Sequence, residues 1–92
     1  MNTIISVPQT KLKQAQQFAK HIDPKTAIVL NCCHVVFRPG AIEIYPKNRF
    51  VLGVIHRNES IQNTLVFASE ALNCRCIITL KGAGTWVLSS SD

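Results

Sequence analysis

The stretch from Thr26 to Ala41 constrains this chain more than any other. Thr26 to Arg38 is a run of strand formers: Ala27, Ile28, Val29 and Leu30, then Val35, Val36 and Phe37. Apolar residues at both parities predict a central strand covered on both faces, with Asn31 as a bend. Arg38-Pro39-Gly40-Ala41 then reads as a turn. Proline presets φ at the second position of a type II turn, and glycine supplies the positive φ of the third. The chain therefore doubles back into a second strand, Ala41 to Tyr45. Ile42 and Ile44 face one way there, Glu43 and Tyr45 the other. Pro46-Lys47-Asn48 reads as another turn and Phe50 to His56 as a third strand, which makes an antiparallel meander.

Helices are expected on either side of this meander. From Pro8 to Ile22, the residues Leu12, Ala15, Phe18, Ala19 and Ile22 recur at helical spacing. Pro8 suits a first turn, and Asp23-Pro24 stops the helix because a residue before proline avoids helical angles. Asn58 or Ser60 is a suitable cap for a second helix running to about Leu72. Its core stripe is Ile61, Leu65, Ala68 and Leu72, and Asn73 suits a left-handed stop. Arg75 to Leu80 is a fourth strand, Lys81-Gly82-Ala83-Gly84 a tight turn, and Thr85 to Leu88 a fifth strand. The expected fold is α+β, in the order α-β-β-β-α-β-β, an antiparallel meander sheet packed against two helices. One domain spans 1–92, with frayed ends at 1–7 and 89–92.

Composition narrows the class. Of 92 residues, 47% are hydrophobic and only 16% charged, against roughly 25% charged in average domains. This excludes global disorder. No apolar run reaches the ~18 residues of a membrane span. Met1 to Pro8 has neither a basic start nor a long apolar stretch, so no secretory signal is expected. A soluble cytoplasmic protein with four reduced cysteines is the expectation.

Candidate chemistry is sparse. Cys32 and His34 alternate on one expected strand, and Cys74 and Cys76 on another, so each pair shares a face. Residues two apart on a strand are separated by roughly 6.5–7 Å. Ligands of a tetrahedral zinc sit closer together, and a Cys-x-x-Cys knuckle serves better. The four residues therefore read as small buried hydrophobes and a neighbouring histidine, with no metal or other cofactor expected. A disulfide would need Cα atoms within about 7 Å and an oxidising compartment. Cys33 and His34 point to opposite faces and form no dyad. Asp23, Glu43, Glu59, Glu70 and Asp92 make up the acidic complement, and no two of them form a catalytic motif. Lys81-Gly82-Ala83-Gly84 leads into a strand, whereas a phosphate-binding loop leads into a helix. The chain is read as a non-enzyme.

Ten basic residues against five acidic give a net charge of +5. Arg38, Lys47, Arg49 and Arg57 fall at strand ends, interleaved with Phe37, Tyr45 and Phe50. Such a rim could hold phosphates and stack bases, which makes nucleic-acid binding the alternative function. The order helix, three strands, helix over residues 8–72 resembles the double-stranded RNA-binding domain. That family's basic start to its last helix is replaced here by Asn58-Glu59-Ser60-Ile61, so its function does not carry over. Leu30-Asn31-Cys32 resembles the cysteine of β-class carbonic anhydrases. Lys81-Gly82-Ala83-Gly84-Thr85, however, lacks that family's further zinc ligands. Cys76 to Ser89 resembles the hairpin wing of winged-helix proteins.

The preferred expectation is a small regulatory, adaptor or inhibitor protein that binds another protein and forms a homodimer. A charge-poor small domain has apolar surface to cover, and open sheets have edges that invite pairing. The last strand carries no charge, which singles out Thr85, Trp86 and Val87 as contact residues, with Trp86 the anchor.

Overall fold

The structure, a computed structural model, describes residues 9–89. The start at Pro8 and the frayed ends at 1–7 and beyond Ser89 fall outside the described residues. Four helices and four strands alternate in pairs: α1 (Gln9–Lys20), α2 (Pro24–Leu30), β1 (Cys33–Arg38), β2 (Ala41–Pro46), α3 (Arg49–His56), α4 (Glu59–Ala71), β3 (Arg75–Leu80) and β4 (Gly84–Leu88). The class is α+β, as the sequence indicates. Two segments expected as strand are helix, so four helices pack on the sheet instead of two.

The first is the front of the expected strand 26–38: residues 26–30 belong to α2, and 33–38 form β1. Its β-branched residues favour a strand, but the chain entering it favours a helix. Asp23 is extended, and its carboxylate accepts the Thr26 amide hydrogen at 2.9 Å. Pro24 follows in the first turn, where its missing N–H costs nothing. Asp23-Pro24 thus ends one helix and starts the next, and Asn31 is the C-cap of α2. The second segment is 49–56. Asn48 caps α3 through the Val51 amide at 3.0 Å, and Val51, Leu52 and Ile55 are buried. That i, i+1, i+4 spacing is helical and does not fit alternation. The expected three-stranded meander is therefore absent, and with it the element order shared with the double-stranded RNA-binding domain.

The sheet has the order β1-β2-β3-β4 and is mixed. Two antiparallel hairpins flank a parallel pair, β2 with β3. Parallel neighbours require a long crossover, and α3 and α4 supply it. Gly40 closes the first hairpin at φ +78°, the positive angle that Pro39-Gly40 predicts. Asn73, at φ 59°, stops α4. The Cys74 amide bonds to the Ser69 carbonyl and the Asn73 amide to that of Glu70, both at 2.9 Å. These are the two bonds of a Schellman cap.

One sheet face carries the core. Ile42, Ile44, Cys76 and Ile78 are fully buried against Phe18, Leu52, Ile55, Ile61, Leu65 and Ala68 of the helices. Phe18 meets Phe37 edge-on at 5.6 Å. Leu12, expected in the α1 stripe, is 56% exposed. The other face, with His34, Val36, Glu43, Tyr45, Ile77 and Val87, is absent from the core cluster. Among the described residues, no helix is long and apolar enough to cross a membrane.

Thr26 is fully buried at the start of α2, and its side chain and amide together hold the Asp23 carboxyl below its ordinary range.

Candidate contact groove and the predicted site residues

Among the described residues, five large hydrophobic side chains are exposed: Leu12, Ile28, Phe50, Phe67 and Val87. Ile28, 67% exposed, and Phe50, 73% exposed, stand on the same apolar groove. The groove runs between α2 and α3 with a volume of about 170 Å³. Ile28, Val29 and Cys32 form one wall; Phe50, Val51 and Val54 form the other. The α3 wall follows from helical spacing, i, i+1 and i+4, and the other wall pairs Ile28 and Val29 of α2 with Cys32 in the turn that follows it. Had 26–30 and 50–56 been strands, no such groove would exist. A second depression, lined by Cys32, Cys33, His34, Tyr45 and Lys47 among others, adjoins it at Cys32.

The expected contact residues on the last strand divide between two faces. Thr85 pairs with Thr79 and Val87 with Ile77 on the uncovered face, and both are exposed. Trp86 points the other way, toward the helices. It is half-buried and meets the His56 ring edge-on at 4.6 Å. A Cβ on Gly84 would stand 3.2 Å from the Trp86 ring, so glycine leaves the indole room to lie over its own strand.

The basic set is dispersed as well. Arg38, at the first hairpin, bonds through Nε to the Glu43 carboxylate at 2.9 Å. Lys47 and Arg49 flank the N-cap of α3 at the other end of β2, and Arg49 donates to the Gly82 carbonyl at 3.3 Å. Arg57 follows α3 as its C-cap. Of the interleaving aromatics, Phe37 is in the core layer, Phe50 on the groove and Tyr45 on the open face.

The cysteines and His34 do not assemble. Cys32 and Cys74 precede β1 and β3 and are not strand residues, though Cys74 and Cys76 both lie in the core. His34 lies on the open face opposite Tyr45, while Cys76 lies buried on the covered face, with β2 between their strands. Among the described residues, no three of His, Cys, Asp or Glu form a group that could hold a metal ion. All four cysteines are free. Burial pushes the thiols of Cys33 and Cys76 up to about 11, with Cys32 adding to the effect on Cys33. At neutral pH both are protonated and poor nucleophiles.

Reasoning from the sequence missed the groove. Its signal was there: Asp23-Pro24 and Asn48 are helix-start signatures, and a helix on each segment leaves Ile28 and Phe50 outside the core.

A polar network around Glu43 lies on the open face. Glu43 accepts from the Tyr45 hydroxyl at 2.7 Å and from Arg38. These two contacts, Tyr45 first, hold the Glu43 carboxyl below its ordinary range. A lowered folded-state value contributes stability above the unfolded value, and that contribution is lost as pH falls through the folded value. The melting temperature should therefore drop as pH falls through and below the ordinary glutamate range, and Glu43→Gln should flatten part of that fall. An identical pH profile in the variant would show the network to be without effect on stability.

Compared with protein families, curated proteins and solved structures, the chain matches none of them.

Proposed function

We propose that this chain is a non-enzymatic protein-contact domain of regulatory or adaptor type, which docks a partner protein in the α2–α3 groove. The observation that carries the reading is the Ile28–Phe50 pair. Isolated exposed hydrophobics are ordinary, but two of the most exposed side chains on one apolar groove form a patch. Grooves of this kind take apolar anchors from a partner helix or loop. Four free thiols favour a reducing, cytoplasmic setting.

A tagged chain should retain a partner from nuclease-treated extract, and the double variant Ile28→Glu, Phe50→Glu should lose it. Both positions are largely exposed, so the variant should melt close to the parent. Equal retention by parent and variant would sink the groove. Retention that disappears with nuclease alone would favour the nucleic-acid alternative through Arg38, Lys47, Arg49 and Arg57.

Self-association is a second reading, and β4 favours it. It is an edge strand with no charged residue, and its Val87 is 55% exposed on the uncovered face. Uncharged edges pair with other strands. Light scattering at micromolar concentration should give a dimer, and Val87→Lys a monomer. A parent that scatters as a monomer of 10.2 kDa would refute it.

A further inference from the structure

We infer that the occupant of the α2–α3 groove is an acidic amphipathic segment of a partner protein, with apolar side chains in the groove and carboxylates against Lys25, Lys47 and Arg57. This rests on the groove being a contact surface, and adds the chemistry of what it contacts.

The placement of three cations carries the inference. Lys25, Ile28, Val29 and Cys32 follow i, i+3, i+4, i+7 spacing, so Lys25 continues the α2 wall of the groove. Phe50, Val54 and Arg57 follow i, i+4, i+7 spacing on the α3 wall. The Arg57 guanidinium lies back along that helix, with Nη1 3.1 Å from where a Cβ on Gly53 would stand. Glycine at 53 thus leaves the charge folded along α3, next in sequence to Val54 of the groove wall. Lys47 marks the end where Cys32 closes the groove. Its amide donates to the Cys32 carbonyl at 3.0 Å, and the two residues share the adjoining depression.

Local carboxylates leave these cations available. None of the three is in an ion pair among the described residues. No carboxylate lines the groove. Asp23, the acid next to Lys25, accepts from the Thr26 amide at the start of α2, and the Lys25 charge acts on it more weakly than Thr26 does, without an ion pair. Glu43 is engaged with Arg38 and Tyr45 on the uncovered face.

An apolar centre with a positive rim selects among occupants. A second copy docked groove to groove would place the three cations against their own equivalents, and like charges across an interface oppose docking. A nucleic acid would engage the cations but leave Ile28 and Phe50 without apolar partners. A segment with apolar anchors at i and i+3 or i+4, flanked by Asp or Glu, satisfies both parts.

Fluorescent amphipathic peptides and anisotropy with the full chain provide the test. Four peptides share one design: leucine anchors with flanking Glu, with flanking Gln or with flanking Lys, and the Glu peptide with its anchors changed to Ser. The Glu peptide should bind at least about tenfold tighter than the Gln peptide at low salt, and the gap should close as salt screens the rim. The Lys and Ser peptides should bind more weakly still. Lys25→Glu with Arg57→Glu should reverse the order of the Glu and Lys peptides. Equal binding of the Glu, Gln and Lys peptides, lost in Phe50→Glu, would overturn the charge inference and keep the groove. Binding of the Glu peptide unchanged by Phe50→Glu, or matched by the Ser peptide, would overturn the groove itself.

Discussion

Parallel pairing of β2 with β3 is the constraint on which the rest of the molecule depends. Two strands running the same way cannot be joined by a turn, so the chain must leave the sheet and return. Residues 47–74 make that journey, and α3 and α4 are what they form. The pairing aligns Ile42 with Cys76 and Ile44 with Ile78, and all four are buried under the crossover. Each hairpin then adds one antiparallel edge, β1 outside β2 and β4 outside β3. Because the crossover covers only one face, the other keeps its mixture of Tyr45, Ile77 and Val87 with the Arg38–Glu43 pair.

Side-chain caps decided where the sequence was misleading. Ala27-Ile28-Val29-Leu30 has strand composition, and read alone it favours β structure. One carboxylate at Asp23 and one proline after it set helical geometry before that preference acts. Asn48 and Asn58 do the same for α3 and α4, bonding to the Val51 and Ile61 amides. Conversely, Arg38-Pro39-Gly40-Ala41, the alternation of β2, and the limits of β3 were legible, because each is set by local chemistry. Whether β2 and β3 run parallel was not legible. That direction follows from what lies between them, and reading 49–56 as a strand removed half of the crossover.

The candidate site was legible only in its ingredients. Exposed apolar surface was expected from the shortage of charge and placed on Thr85, Trp86 and Val87; Thr85 and Val87 are exposed, but Trp86 is half-buried. The indole instead packs toward α3, and Phe50, read as an aromatic among strand ends, faces the groove. The basic residues were identified, yet the placement of Arg57 beside Val54 and of Lys47 beside Cys32 depends on the α3 helix and on one backbone bond. A residue's partners across the fold are the part that one-dimensional spacing does not encode.

The contact between His56 and Trp86 has an optical consequence. Trp86 is the sole indole in the sequence, and it touches the last turn of the helix whose opposite flank forms a groove wall. Its emission therefore comes from a single environment set by how α3 rests on β4. The molecule carries a built-in fluorophore against α3, positioned to register any shift of that helix without an added label.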